Sequence, residues 1–93
     1  MAMSINQLTT LESIYLMPKN RFIAFITELT TKQLAILYLA NHLGLKKRLE
    51  LYLDANIKYQ IKQKIQLINS MENKDEIVKS EIIIMDFELI MFR

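Results

Sequence analysis

The sequence predicts an all-α domain, a small armadillo-like stack of helical hairpins with about five to six helices. One Gly and one Pro among 93 residues leave little material for the tight turns on which all-β folds depend. Leu, Ile, Lys, Gln, Glu and Met dominate the composition, and most of these residues favour helices. A chain of this length is expected to form a single domain, residues 1–93, with a modest core.

A repeated motif marks two predicted corners between helices. Residues 5–12 read Ile-x-Gln-Leu-Thr-Thr-x-Glu, and residues 26–33 read Ile-x-Glu-Leu-Thr-Thr-x-Gln. A Thr hydroxyl and a Glu or Gln side chain three residues later form a capping box, which satisfies free N–H groups at a helix start. Each copy is therefore predicted to end one helix and to begin the next, with Thr9 and Thr30 as the caps.

The N-terminal half is divided by these caps and by proline. Residues 1–8 form a short helix after Ser4 or a frayed end, and the next helix runs from Thr9 to just before Pro18. Pro18 suits the first position of a helix over residues 19–29. A largely apolar helix from Thr31 to about residue 43 reads as the centre of the core. Gly44 then stands where a left-handed C-terminal cap belongs.

The C-terminal half is predicted to contain three further segments. Residues 45–53 read as a short helix with Lys46, Lys47 and Arg48 directed outward. Asp54 caps an amphipathic helix over residues 55–71, whose inner positions are Ile57, Ile61, Ile65 and Ile68. Asn73, followed by Glu76, has the pattern that opens a last segment over residues 74–93.

That last segment admits two interpretations. As a helix it places an apolar stripe on one face: Val78, Ile82, Met85, Leu89 and Phe92. As a strand from Ile82 it has the right β-branched residues, but Asp86 and Glu88 share a face with apolar residues. We predict a helix, with the strand as the alternative. Either form leaves apolar surface exposed.

The chain is rich in apolar residues for a small domain, since they make up 52% of it. We therefore predict a module that binds another protein, itself, or both, and that is a homo-oligomer. Its working surface combines the helix over residues 55–71 with these interface residues: Ile83, Met85, Phe87, Leu89, Ile90 and Phe92. Asp86 and Glu88 within that surface are either solvent-facing gatekeepers or ion-pair partners for a basic protein.

Positive charge is concentrated in the middle of the chain. Residues 45–65 carry six Lys and Arg against two acids, whereas residues 66–93 carry three against six. Five of these cations are candidates for contacts to phosphate or to an acidic partner: Lys46, Lys47, Arg48, Lys58 and Lys62. A small DNA-binding regulator that uses the helix over residues 55–71 is the alternative function, although a solvated helix face also explains the pattern.

No catalytic or metal-binding signature is present in the sequence. There is no Cys, and the one histidine, His42, has no second ligand at helical spacing, so we expect no enzyme, metal or cofactor. His42 is interpreted as a residue at the end of the helix that starts at Thr31, facing its dipole. We expect no signal peptide, no membrane span and a cytoplasmic location.

Several segments match a known helical family in order. The match rests on residues 23–26 (Ile-Ala-Phe-Ile) with Leu29, and on residues 34–39, 63–71 and 75–81. Across residues 21–89 the chain resembles the middle domain of the bacterial flagellar motor switch protein FliG, an armadillo-like fold. The family's partner-binding Glu-His-Pro-Gln is replaced by Pro-Lys-Asn-Arg at residues 18–21. The resemblance thus implies an armadillo-like scaffold that docks proteins, without the family's own partner surface.

Overall fold

The computed structural model describes residues 5–92, and it describes side chains for residues 8–90. Six α-helices follow one another: α1 (Ile5–Tyr15), α2 (Lys19–Glu28), α3 (Thr31–Leu39), α4 (Leu43–Tyr52), α5 (Ala55–Asn69) and α6 (Lys74–Phe92). Over residues 5–92 every regular element is helical, which confirms the all-α prediction. The strand alternative for the last segment is wrong, since that segment is the 19-residue helix α6.

Helix α1 runs without a break through the first copy of the repeated motif, so the predicted corner at Thr9 is wrong. No Gly or Pro interrupts the backbone there, and Leu11 and Ile14 are fully buried in the core. The adjacent Thr10 is also buried, and its hydroxyl donates a hydrogen bond of 3.0 Å to Asp86 on α6. The residue after the predicted cap thus has a partner on a distant helix.

The second copy of the motif forms the corner that the sequence predicts. Thr30 Oγ1 accepts a hydrogen bond from the Gln33 backbone N–H at 3.1 Å, and Gln33 Oε1 accepts one from the Thr30 N–H at 3.0 Å. Both halves of the capping box are thus present between α2 and α3. Pro18, predicted as the first residue of α2, instead immediately precedes it, and its carbonyl accepts from the Phe22 N–H.

The junction between α3 and α4 differs from the prediction. Helix α3 ends at Leu39, and the left-handed residue is Asn41 (φ 62°), because Asn tolerates this conformation better than most residues. Gly44 lies inside α4 and has no positive φ, so it is not a C-cap. His42 is not a helix-end residue of α3 but the N-cap of α4, where Nδ1 accepts from the Leu45 N–H at 3.0 Å.

Gly44 has a different structural reason to be glycine. A Cβ atom built at this position would lie 2.9 Å from Cζ of Tyr15, closer than real Cβ contacts come. The Tyr15 ring also packs against the His42 ring, with 5.0 Å between centroids. The missing side chain therefore lets α1 and α4 approach each other.

The remaining helix starts agree with the sequence. Asp54 Oδ1 accepts from the Ile57 N–H at 2.8 Å at the start of α5, which confirms the predicted cap. Helix α5 ends at Asn69, two residues earlier than predicted, and Asn73 immediately precedes α6.

Helix α3 lies at the centre of the core, packed against α4, α5 and α6, while α1 packs against α4 and α6. Five consecutive residues of α3, from Gln33 to Leu37, are buried. Among the described residues no single helix is long and apolar enough to cross a membrane. Helices α2 and α3 together have the required length and composition, but they meet at a bend of 119°.

Candidate functional site

Helix α6 has two apolar faces. Val78, Ile82, Met85 and Leu89 follow a 4-3-4 spacing and are buried against the core. On the opposite side four side chains remain exposed, by 54%, 46%, 67% and 60% respectively: Ile83, Ile84, Phe87 and Ile90. At 3.6 residues per turn these four side chains form one continuous stripe along the helix. We call this stripe the α6 ridge.

The predicted interface residues are divided between these two faces. Ile83, Phe87 and Ile90 lie on the α6 ridge, where a partner has access to them. Met85 and Leu89 are buried in the core, so their placement on the interface is corrected. The buried stripe and the interface were predicted from overlapping residues, although one helix face cannot serve both purposes. The side chain of Phe92 lies outside the described residues.

Ile84 belongs to the α6 ridge and was missing from the predicted interface. Its position one residue after Ile83 and three before Phe87 is the signal that places it there. Helical spacing therefore identifies the ridge, once the core stripe has been assigned to the other face.

Polar contacts border the α6 ridge on both sides. On the α1 side, Thr10 Oγ1 donates to Asp86 Oδ1 at 3.0 Å. On the α3 side, Gln33 Nε2 donates to Glu88 Oε1 at 3.0 Å, and Lys32 Nζ lies 3.2 Å from Glu81 Oε1. Asp86 is thus half-buried and Glu88 is exposed, and each accepts a hydrogen bond within the fold, while an ion pair with a basic partner stays a prediction.

Both copies of the repeated motif converge on these acids. Thr10 comes from the first copy and Gln33 from the second, and they are the two buried polar side chains of the described chain. Sequence reasoning assigned the repeat to helix corners alone. Its contacts to α6 have sequence separations of 76 and 55 residues, which no local pattern reveals.

An apolar groove lies between α5 and α6. It has a volume of about 260 Å³ and is lined by Leu67 and Ile68 of α5, by Met71 just after that helix, by Ile77 of α6, and by Lys32 and Lys64. Ile77 precedes Ile84 by two helical turns and lies on the same side of α6. Helix α5 thus contributes to the wall of the groove, while its predicted role in binding stays a prediction. We call it the α5–α6 groove.

Arg48 was predicted to face outward, and the structure contradicts this. Its Nη1 donates to the backbone carbonyl of Tyr15, and its guanidinium carbon lies 4.1 Å from the ring centroid of the buried Phe22. Arg48 therefore ties α4 to α1 and α2, and a cation–π contact of this kind stabilises the fold.

Two of the other predicted cations also have partners within the chain. Lys58 Nζ lies 3.2 Å from Glu50 Oε2, and Lys46 Nζ lies 5.9 Å from the Tyr38 ring centroid. Lys47 and Lys62 are exposed and form no ion pair with any residue that the structure describes. DNA binding stays a prediction, and a mobility shift with duplex DNA at low salt tests it.

Glu50 connects three helices. Besides Lys58 on α5, it contacts Tyr38 on α3, whose hydroxyl donates to Glu50 Oε1 at 3.1 Å. Burial, this hydrogen bond and the negative charge of Glu50 together raise the pKa of Tyr38 above its ordinary value of 10.0. Glu50 on α4 thus contacts side chains of both α3 and α5.

His42 is likewise occupied within the fold. Its Nε2 contacts Glu12 Oε1 on α1 while its Nδ1 caps α4, so both ring nitrogens are engaged. In the part of the chain that the structure describes, no three His, Asp or Glu side chains are grouped as metal ligands.

Comparison with known proteins gives no match to this chain among family models, curated proteins or solved structures. The resemblance to the FliG middle domain therefore rests on the quoted residues alone.

Proposed function

We propose that this protein is a non-enzymatic interaction module, a small scaffold or adaptor that docks another protein through the α6 ridge and the α5–α6 groove. The observation that supports this is the exposed apolar face of α6, directly opposite the face buried in the core. A surface helix normally carries polar residues on its outer side. Contiguous exposed apolar stripes are typical of binding surfaces.

The size of the ridge suggests how tightly it binds. Its exposed fractions together equal a little more than two whole side chains. Full burial of one such side chain contributes about 1.5–3 kcal/mol, so covering the ridge contributes roughly 3–7 kcal/mol. Association itself costs about 4–15 kcal/mol. We therefore expect modest affinity from the ridge alone, and tighter binding when the partner also fills the groove.

The armadillo-like arrangement is part of the proposal. Stacked helical hairpins expose extended helix surfaces on which other proteins dock. The resemblance to the FliG middle domain supports a scaffold of this kind, and self-association stays one of its predicted forms.

Site-specific photo-crosslinking tests the proposal. A photoreactive phenylalanine analogue is placed at position 87 on the ridge, and in a matched variant at position 51. Leu51 is a suitable control because it is exposed by 75%, against 67% for Phe87, but belongs to α4. In cells that naturally produce the protein, we expect a discrete crosslinked protein at position 87 and none at position 51. Equal crosslinking at the two positions, or none at either, contradicts docking through the ridge.

A further inference from the structure

We infer that the partner on the α6 ridge is an amphipathic helix whose apolar stripe is flanked by Lys or Arg. This inference rests on the proposed function, because it names the occupant of the same surface. Its basis is the negative charge on the two borders of the ridge, together with the neutral hydrogen-bond donors that orient the charged carboxylates.

One carboxylate stands on each border. Asp86 and Glu88 flank Phe87 in sequence and lie about 200° apart around the helix, so they are on opposite sides of the ridge. Asp86 faces α1 through Thr10, and Glu88 faces α3 through Gln33. An occupant of the ridge therefore meets a negative charge on either side.

These two carboxylates are held by neutral donors and not by cations. A Thr hydroxyl and a Gln amide each occupy one oxygen, and neither acid has an ion-pair partner within residues 8–90. Glu81, by contrast, is paired with Lys32. Hydrogen bonds from neutral groups orient a carboxylate without cancelling its charge. Orientation before binding lowers the entropy lost when a cation arrives.

The charge arrangement selects among possible occupants. A second copy stacked ridge to ridge brings four carboxylates to one seam, and like charges brought together at an interface cost several kcal/mol. An anionic lipid surface meets the same repulsion. A helix with apolar residues at i, i+3, i+4 and i+7 and basic residues beside them matches both the ridge and its borders.

Two synthetic peptides test the inference. Each has about 18 residues, mostly Ala, because shorter helices are marginal in water. Both carry the same stripe of Leu and Ile, flanked in one by Lys and in the other by Glu. Fluorescence anisotropy measures their binding to the full chain at low and at moderate salt. We expect the Lys peptide to bind at least about tenfold more tightly, with an affinity that falls as salt rises.

Variants assign the effect to the two acids. Asp86→Asn with Glu88→Gln keeps the acceptor oxygens for Thr10 and Gln33 but removes both charges. We expect it to reduce the affinity for the Lys peptide by about tenfold, roughly the effect of two modest charge contacts. Glu28→Gln with Glu72→Gln removes two exposed charges elsewhere and should leave the affinity unchanged. Unfolding curves confirm that all variants fold alike.

Equal affinity for both peptides, unchanged in the Asp86→Asn/Glu88→Gln variant, overturns the inference but leaves docking through the ridge intact. Failure of the Lys peptide to bind, although position 87 crosslinks a protein in cells, overturns it as well. A dimer in sedimentation that Phe87→Ser disrupts identifies a second copy as the occupant, and this too overturns the inference.

Discussion

Replacing Gly44 with Ala tests how closely α1 and α4 are packed. Gly44 has a helical backbone, so relief of its conformational freedom alone should stabilise the fold by about 0.5–1 kcal/mol. The new Cβ, however, would lie 2.9 Å from Cζ and 3.0 Å from Cε1 of Tyr15. The ring is held against His42 and must shift to make room.

The cost of the close contact with Tyr15 should outweigh the gain in backbone entropy. Overpacking of this kind typically costs about 1–3 kcal/mol. We therefore expect Gly44→Ala to lower the free energy of unfolding by about 1 kcal/mol, as the difference between the cost of overpacking and the gain in backbone entropy. In a Tyr15→Ala background no ring is in the way, so the same substitution should stabilise the protein by about 0.5–1 kcal/mol.

Urea unfolding followed by circular dichroism measures all four proteins of this double-mutant cycle. If the reasoning holds, Gly44→Ala lowers the free energy of unfolding of the wild-type protein and raises that of the Tyr15→Ala variant. Stabilisation by the same amount in both backgrounds refutes it, because the Tyr15 ring would then move aside at no cost.

Two further predictions concern α6 and the contact between Tyr38 and Glu50. Met85→Ala should lower the free energy of unfolding by about 2–5 kcal/mol because the side chain is fully buried. Phe87→Ala should change it by less than about 1 kcal/mol because only a third of the ring is covered; equal losses in urea unfolding contradict the assignment of the two faces. The raised pKa of Tyr38 means that the unfolded chain ionises first, so stability is retained below pH 10.0 and declines above it. Tyr38→Phe should lessen that decline in unfolding curves at alkaline pH, whereas Tyr59→Phe, at an exposed position, should not; identical pH profiles for wild type and Tyr38→Phe reject the explanation.

Local sequence predicted those parts of the fold that local chemistry determines. Thr30 with Gln33 forms its capping box within four residues, and Asp54 caps α5 across three. Neither contact needs information from the rest of the chain. The all-α class followed in the same way from composition and spacing.

The wrong predictions concern positions whose local structure depends on a side chain that is far away in the sequence. Thr9 and Thr30 share one local pattern, yet the first motif lies inside α1, where the neighbouring Thr10 donates to Asp86 on α6. Gly44 is glycine because Tyr15 approaches from another helix, and Asn41 takes the left-handed position instead.

The candidate site likewise has features that follow from local sequence and features that depend on contacts between helices. Helical spacing was enough to place Ile83, Phe87 and Ile90 on one exposed stripe once the core stripe was known. The neutral partners of Asp86 and Glu88 lie on α1 and α3, and the inward position of Arg48 depends on Phe22. Such contacts depend on how the helices pack, which the sequence pattern does not contain.

A helix with two apolar faces can bury either face when it is rotated about its own axis. Turning α6 by half a revolution about its axis would bury the ridge in place of the core stripe, with a similar gain from apolar burial. That turn would also break the hydrogen bonds from Thr10 to Asp86 and from Gln33 to Glu88, because the two acids lie about 200° apart and would exchange sides. Glu88 would then face α1 and Asp86 would face α3, each displaced by about 3 Å along the helix axis from the acid it replaces. The hydrogen bonds from Thr10 and Gln33, one from each copy of the repeated motif, thus belong to one rotational state of the last helix, the state in which the ridge is the exposed face.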